Sequence, residues 1–484
     1  MNVPDPRKEE GKKVHLPVIE AKSSIHLDGS RAYVHPADVS GRFATARKIA
    51  FVVLIAIYAL LPWVNIGGHP AMFLDIEHRS FFLFGATFNA QDIWMMVFVV
   101  TGAFFGLVYL TAVAGRVWCG WACPQTVFLE GVFRRVERLI EGPRDKRIRR
   151  NAGPWTWDKI WRKALVWPIY FGLAFVIAHV FLAYFVSIPR LFDAMRHNPG
   201  DHPEAFAVVM GLTGLLFFNF AWFREQFCVI LCPYGRLQSA LLDPDSLVVG
   251  YDVARGEPRG KAKKVAKDDA GAPKQGDCVD CGRCVVVCPT GIDIRSGLQM
   301  DCIACTACID ACDEIMDKLG RPRGLIRYDS QEGLVGRPRR FLRPRIYLYT
   351  ALGALGLAAA TFAYSRRTDY EANVLRVQGA PYTLDAGLVR NAYSIHLVNK
   401  RSRETTFRLE PADDPMREPS AAFVIPLKEV KLEPLAQVST PIFVTVPVAD
   451  FKMDHPMKIR VTPLDSPNDA RVVSAPFLGP RRTQ

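Results

Sequence analysis

No cysteine follows Cys312 in this chain of 484 residues, although it holds 12. The last third therefore has no thiol with which to staple a fold, and a disulfide scaffold is excluded there. Charge is the second scarcity. Five stretches, roughly residues 49–66, 91–113, 164–188, 205–223 and 346–364, are apolar with almost no charged residue inside. A run of about 20 such residues crosses the hydrocarbon of a bilayer, and the missing charges argue against buried core helices, so an integral membrane protein is expected. A third absence concerns the first run, which ends at Leu61-Pro62-Trp63 without a small-residue cleavage site after a long polar lead. A removable secretory signal is not expected on that reading, and the first helix is expected to stay.

What the chain does have is one ligand pattern written twice. Cys278, Cys281, Cys284 and Cys288-Pro289 are followed by Cys302, Cys305, Cys308 and Cys312. Each half reads C-x2-C-x2-C-x3-C, the spacing of a bacterial ferredoxin with two 4Fe-4S clusters. Two-residue gaps bring three thiolates of one tight loop to three irons of one cube, and the fourth ligand comes from the other half. Cys278, Cys281, Cys284 and Cys312 are thus assigned to one cluster, and Cys302, Cys305, Cys308 and Cys288 to the second. Zinc sites favour separated C-x2-C pairs over two unbroken runs of four. The second half ends Cys312-Asp313 instead of Cys-Pro, a change that touches the turn more than the ligation. Electron transfer is the leading function.

Lysine and arginine set the expected orientation. The connection from Gly115 to Lys163 carries Arg134, Arg135, Arg138, Arg144, Lys146, Arg147, Arg149 and Arg150, while the connections after the first and third runs carry few. That loop is expected in the cytoplasm, placing the N-terminus and the ferredoxin segment inside and everything after Arg366 outside, in a bacterial inner membrane. The net charge of +13 belongs mainly to these inner loops, where anionic lipid is the partner, so nucleic acid is not expected to be one. All the cysteines then face a reducing compartment or its membrane boundary, which keeps thiols free for metal.

The expected architecture is a multi-domain membrane protein: five transmembrane α-helices, an inserted bacterial-type two-cluster 4Fe-4S ferredoxin domain and a C-terminal immunoglobulin-like β-sandwich. Residues 1–46 read as a polar cytoplasmic arm, 47–251 as a four-helix membrane region, 252–276 as a charged linker, 277–330 as the ferredoxin domain, 331–365 as a basic loop with the fifth helix, and 366–484 as the extracytoplasmic sandwich. Alternation at Tyr393, Ile395 and Leu397, at Ile442, Val444 and Val446, and at Ile459 and Val461 carries the sandwich reading. Val127 to Ile140 reads as an amphipathic helix on the inner leaflet.

A second constellation stands beside the membrane runs. Cys119-Gly-Trp-Ala-Cys123-Pro124 follows the second run, and Cys228-Val-Ile-Leu-Cys232-Pro233 follows the fourth. Two C-x3-C-P motifs at matching places look like an internal duplication. Residues four apart share a helix face, and the proline ends or kinks that helix near the second cysteine. Four thiols at one membrane boundary suit a soft metal such as Cu(I). A redox dithiol competes, and so does plain packing, since free cysteine is among the most buried residue types. Met453, His455 and Met457 would place three soft donors on one strand face, although ordinary surface usage is the weightier reading. His179 lies inside the third run, where an ionisable group has either a role or a polar partner. His69, Met72 and His78 read as solvated loop residues.

With these parts in order, the chain resembles the cytochrome c oxidase accessory proteins of the CcoG/FixG type. The resemblance rests on the five runs, both C-x3-C-P motifs, the phrase Arg255-Gly256-Glu257-Pro258-Arg259-Gly260, the ferredoxin core and the sandwich tail. It implies a role in assembling a cbb-type haem-copper oxidase by reducing Cu(II) to Cu(I), a cupric reductase activity. The two 4Fe-4S clusters would supply single electrons, with Cys119, Cys123, Cys228 and Cys232 holding copper or relaying to it. Oxidase assembly factors or a copper chaperone would be the partners, beside an electron donor that the sequence does not name. Two alternatives stay open: a general electron-transfer subunit between a quinol or cytosolic donor and a membrane partner, and a copper carrier without redox turnover.

Overall fold

The computed structural model describes residues 33–66, 69–76, 80–88, 92, 94–260, 275–401, 403–413, 419–451 and 453–480. It divides into two compact units, residues 1–64 with 98–358 and residues 65–97 with 359–484. Five helices are long and apolar enough to cross a membrane: Arg42–Trp63, Met95–Ala114, Trp157–Leu182, Pro203–Phe223 and Pro344–Ser365. Each overlaps one of the apolar runs. Their apolar residues lie on all sides instead of forming a stripe, and large ones such as Val100, Phe104, Leu355 and Leu357 are exposed, as suits helices whose solvent is lipid.

The connection after the second span is helical from Pro124 to Glu141, with a π-turn at Leu129–Phe133. It does not lie on the surface as an amphipathic helix would. Phe133 stacks on Phe220 with centroids 4.4 Å apart and meets Tyr170 edge-on at 4.9 Å, so the apolar face is used against the third and fourth spans. The charged face is buried too: Arg134, Glu137 and Glu141 are each at most 3 % exposed, whereas Leu139 stands out at 84 %. The reason is compensation. Glu137 meets Arg224 at 3.2 Å and Arg147 at 3.7 Å, and Arg134 meets Glu225 at 2.9 Å, so the charges carry their counter-ions into the interior.

The ferredoxin lobe belongs to the same unit. An antiparallel pair, Val248–Tyr251 with Ile326–Asp329, floors two short helices, Arg283–Val286 and Ala307–Lys318. Chain expected to be linker is partly folded: Val253–Gly256 is helical and Arg255 pairs with Asp277 at 2.5 Å. Residues 261–274 of that stretch, like residues 1–32 of the arm, lie outside the described residues. The end of the arm is packed, with His35 buried and the Ala37 N–H donating to Val286 O at 2.9 Å.

The second unit is a sandwich of two antiparallel sheets. One runs Ala422–Val424, Gln437–Pro447, Leu388–Asn399, Tyr370–Arg376, with Thr383–Asp385 beside Leu388–Asn399; the other runs Glu429–Leu432, Thr405–Pro411, His455–Pro463, Arg471–Phe477. Tyr393, Ile395, Leu397, Ile442, Val444, Val446, Ile459 and Val461 all point into its core, as alternation in a half-buried strand requires. Residues 65–97 join this unit instead of the membrane region. They form a three-stranded sheet, Met72–Asp75, Ser80–Leu83 and Ala86–Phe88, and Asp92 meets Lys400 at 2.8 Å and Arg367 at 3.2 Å. The connection between the first two spans thus shares a unit with the tail, as an odd number of spans demands.

Candidate functional site

The two cysteine loops of the ferredoxin lobe have the same backbone. In the first, Asp280 and Gly282 take left-handed φ values of 53° and 65°; in the second, Ala304 and Thr306 sit at the same two places with 51° and 65°. Only one of these four residues is glycine, so the conformation is held by the loop against a cost of about 1–2 kcal/mol per residue. In the second loop the Thr306 hydroxyl donates to Cys305 O at 2.5 Å. One cavity is lined by Cys278, Cys281, Cys284 and Cys312 with Tyr251 and Met316. Another is lined by Cys288, Cys302, Cys305 and Cys308 with Ile294 and Ile303, and Cys284 touches it from the first set. The fourth thiol of each set therefore comes from the opposite loop.

Burial pushes the Cys284 and Cys302 thiols up to about 11 and those of Cys305 and Cys312 up to about 12. Such sulfurs are protonated at neutral pH and ionise only for a cation, so loading a cluster releases protons. Four thiols around each apolar cavity fit a cube that needs one thiolate per iron. Among all the cysteines, Cys281 alone is exposed.

The boundary thiols are arranged differently from two sulfurs on one helix face. Cys119 lies in a short helix, Val117–Trp121, which ends before Cys123; Cys123 is extended and starts a new helix with Pro124 as its first residue. The second motif repeats the device: Cys228 lies in the π-turn Phe227–Leu231, and an extended Cys232 leads into Pro233–Leu241. Proline suits a first helical position, where its missing N–H costs nothing. The two motifs interlock. Cys119 Sγ donates to Gln238 Oε1 at 3.3 Å, Arg116 donates to Gly235 O at 2.9 Å, and Gln125 and Asn219 exchange hydrogen bonds at 2.7 and 3.3 Å. The four thiols lie near one another, so that charge on any one sulfur opposes charge on each of the others. Burial, reinforced by that repulsion, pushes Cys119 up to about 12.

This quartet abuts the second ferredoxin loop. A Cβ on Gly120 would fall 2.5 Å from Ile303 O and 2.9 Å from both Ala304 O and Cys305 Cα, so only glycine lets the two backbones touch. Arg116 reaches Cys302 O at 3.3 Å and Arg47 reaches Gly120 O at 3.2 Å. Trp121 donates to the Tyr328 hydroxyl at 3.1 Å, which donates to Ala304 O at 2.7 Å. Arg134 donates through both terminal nitrogens to Pro289 O, at 3.2 and 3.3 Å, beside Cys288. None of these contacts was expected from sequence. The one cue was a glycine standing inside a cysteine motif.

Comparison with known proteins agrees with this layout. A family model described as a 4Fe-4S dicluster domain matches residues 223–331, and another, described as a 4Fe-4S binding domain, matches residues 93–143. A third, an immunoglobulin-like fold at the C-terminal end of FixG, matches residues 360–480. Protein RdxA of Cereibacter sphaeroides is 37% identical over 398 residues, which is 79% of this chain and 83% of the relative. Protein RdxB of the same organism is 38% identical over 79% of this chain and 82% of its own length. Nitrogen fixation protein FixG of Rhizobium meliloti is 34% identical over 78% and 79%.

The chain belongs to the FixG family.

A FixG-type protein is an iron-sulfur electron-transfer protein of the membrane, and the geometry gives this one an order. The exposed Cys281 puts one cysteine set at the lobe surface, while the other set is packed on the Cys119 motif. The remaining donors do not converge. Met457 is buried in the sandwich core and His455 is stacked on Phe477 at 5.2 Å, while Met453 points outward at 64 % exposure, so the outer copper group is withdrawn. His179 bonds through Nδ1 to Phe175 O at 2.8 Å within its own helix, which is the polar-partner reading. His69 is stacked on Phe82 at 4.1 Å instead of being solvated; His78 lies outside the described residues.

Proposed function

We propose that this FixG-type protein takes single electrons from a cellular reductant at the Cys281 face and delivers them, by way of the membrane-boundary thiols, to Cu(II). The copper is a substrate: Cu(II) gains one electron and leaves as Cu(I), the form that sulfur ligands prefer, for use in assembling a cbb-type haem-copper oxidase. The clusters supply one-electron chemistry when bound. The chain's own residues do the rest. The apolar side chains of Ile294, Ile303, Met316 and Leu325 line the cavities of the two cysteine sets, and Gly120 brings the thiol quartet against the loop from Ile303 to Cys305. That contact is the observation that carries the reading. Oxidase assembly factors or a copper chaperone would take the Cu(I), with the ferredoxin lobe in the cytoplasm and the sandwich in the periplasm.

The test is anaerobic mixing of dithionite-reduced protein, freed of excess dithionite, with Cu(II), following cluster absorbance and a Cu(I)-specific chelator together. Matching changes in both signals are expected; Cu(I) without cluster oxidation, or no Cu(I), overturns the proposal. One observation favours a general electron-transfer subunit as the second reading. Among the described residues no three His, Cys, Asp or Glu side chains lie close enough to hold a single metal ion. Oxidation by a membrane partner with no effect of copper would select that reading.

A further inference from the structure

The 4Fe-4S binding domain matched over residues 93–143 contains two cysteines, Cys119 and Cys123. Two thiolates do not complete a four-iron cube, in which each iron takes one ligand. The missing pair must come from elsewhere in the chain. Cys228 and Cys232 supply it in kind and in place: they repeat the C-x3-C-P spacing, repeat the extended cysteine before a helix-starting proline, and interlock with the first pair through Gln238 and Gly235. We propose that Cys119, Cys123, Cys228 and Cys232 together ligate a third 4Fe-4S cluster at the membrane boundary. This rests on the electron-transfer reading of the lobe and makes the quartet a relay instead of a copper-holding site.

Three observations carry it. The first is spread. Four thiolates on one tetrahedral ion with metal–sulfur bonds of about 2.3 Å must stand about 3.8 Å from one another, and among the described residues no three His, Cys, Asp or Glu side chains are grouped to hold a single ion. The same is true of the eight ferredoxin cysteines, whose spacing and family model mark them as cluster ligands. Thiols that converge without closing on one point suit a cube, where each sulfur binds a different iron.

The second is the local amide pattern. Backbone N–H groups of Gln125 and Thr126 donate to Cys123, as those of Ala304 and Ala307 donate to Cys302 and Cys305 in the ferredoxin lobe. Such bonds to sulfur stabilise the negative charge of a thiolate-bound cluster and tune its potential. The third is charge. The buried guanidinium of Arg116 lies between the quartet and the second ferredoxin set, bonded to Gly235 O on one side and Cys302 O on the other. A fixed cation between two anionic clusters offsets their mutual repulsion.

The experiment is a count on the full-length protein, purified anaerobically and without copper. Iron and acid-labile sulfide should each come to about twelve per chain, against about eight for two clusters, and the spins of the reduced protein should integrate to three centres. Cys228→Ser and Cys119→Ser should each lower iron and sulfide by about four while the signals of the two ferredoxin centres persist. Should these variants not fold, the wild-type count still decides. About eight irons in a protein whose ferredoxin centres are fully loaded overturns the third cluster. If that protein still reduces Cu(II), electron transfer to copper stands without it; about twelve irons with no reduction of Cu(II) upholds the third cluster and removes copper as its acceptor.

Discussion

Cys288 shows most plainly how little sequence distance means at this site. It is four residues from Cys284, yet it lines the cavity of Cys302, Cys305 and Cys308. Replacing it with alanine should strip the cluster of that distant set and spare the one held by Cys278, Cys281, Cys284 and Cys312. Resonance spectra of the reduced variant check this, and loss of the nearer centre would be the contrary result. Gly120 is the second telling residue. An alanine methyl there would meet three backbone atoms of the Ile303–Cys305 loop within 3 Å, and backbone does not swing aside as a side-chain tip does. Gly120→Ala should part the boundary motif from the Ile303–Cys305 loop by a few tenths of an ångström or more. Reoxidation of the reduced protein by its acceptor should slow as that gap widens. Iron content should stay at the wild-type value. An unchanged rate would mean electrons leave by another route.

Among the elements, the helical connection from Pro124 to Glu141 decides how the lobe is held to the spans. Burial raises the Glu137 carboxyl, but Arg224, Arg147, His35 and Arg134 outweigh it and hold it at about 2. His35 shares the cluster of charges. Burial, then Arg147, Arg224 and Arg134, overcome the pull of Glu137 and hold it near 4, and its Nε2 meets Asn151 at 3.0 Å. The packed arm thus keeps His35 neutral, while a released arm takes up a proton near pH 6.5. The released state binds more protons between those values, so docking of the arm weakens as pH falls from 6.5 towards 4. The contribution of Glu137 is present above 4.5 and is lost only as pH falls further, towards 2. Between pH 6.5 and 4.5 the slope therefore belongs to His35. Limited proteolysis of the arm should quicken over that interval in the parent and stay flat in His35→Asn. A second element contact is a cap: Asp310, between two cluster cysteines, accepts the Phe43 and Ala44 N–H groups at 3.3 and 2.6 Å. The first span thus begins on a carboxylate of the ferredoxin helix, a cap of about 1 kcal/mol.

For the whole molecule, five spans put the loop 65–97 and the tail on one face of the bilayer, and the Asp92 pairs with Lys400 and Arg367 hold that loop in the tail's unit. The arginine excess from Arg134 to Arg150 predicts which face is the cytoplasmic one. Reporter fusions after Arg150 and Gly320 should work only with a cytoplasmic reporter, and fusions after Asp385 only with an exported one. A cytoplasmic signal at Asp385 would reverse the orientation or change the number of spans. Two of those arginines also have interior work, since Arg134 and Arg147 are buried in ion pairs.

The cysteine spacing, the five apolar runs and the alternation around Tyr393 and Ile442 were legible in the sequence because each is a local pattern. Ligand reach along a tight loop, the length that crosses a bilayer and the two-residue repeat of a strand all act within a few residues, so one stretch of chain suffices to read them. The sequence by itself thus determined the two cysteine sets, the spans and the sandwich. Tertiary structure alone decided the rest: that Cys228 and Cys232 come to Cys119 and Cys123, that Gly120 lies on Cys305, that the charged face from Arg134 to Glu141 turns inward, and that residues 65–97 belong with the tail. Each of these joins segments some 90 or more residues apart. Such meetings depend on which buried surfaces and opposite charges find one another when the whole chain packs, and no local periodicity carries that information.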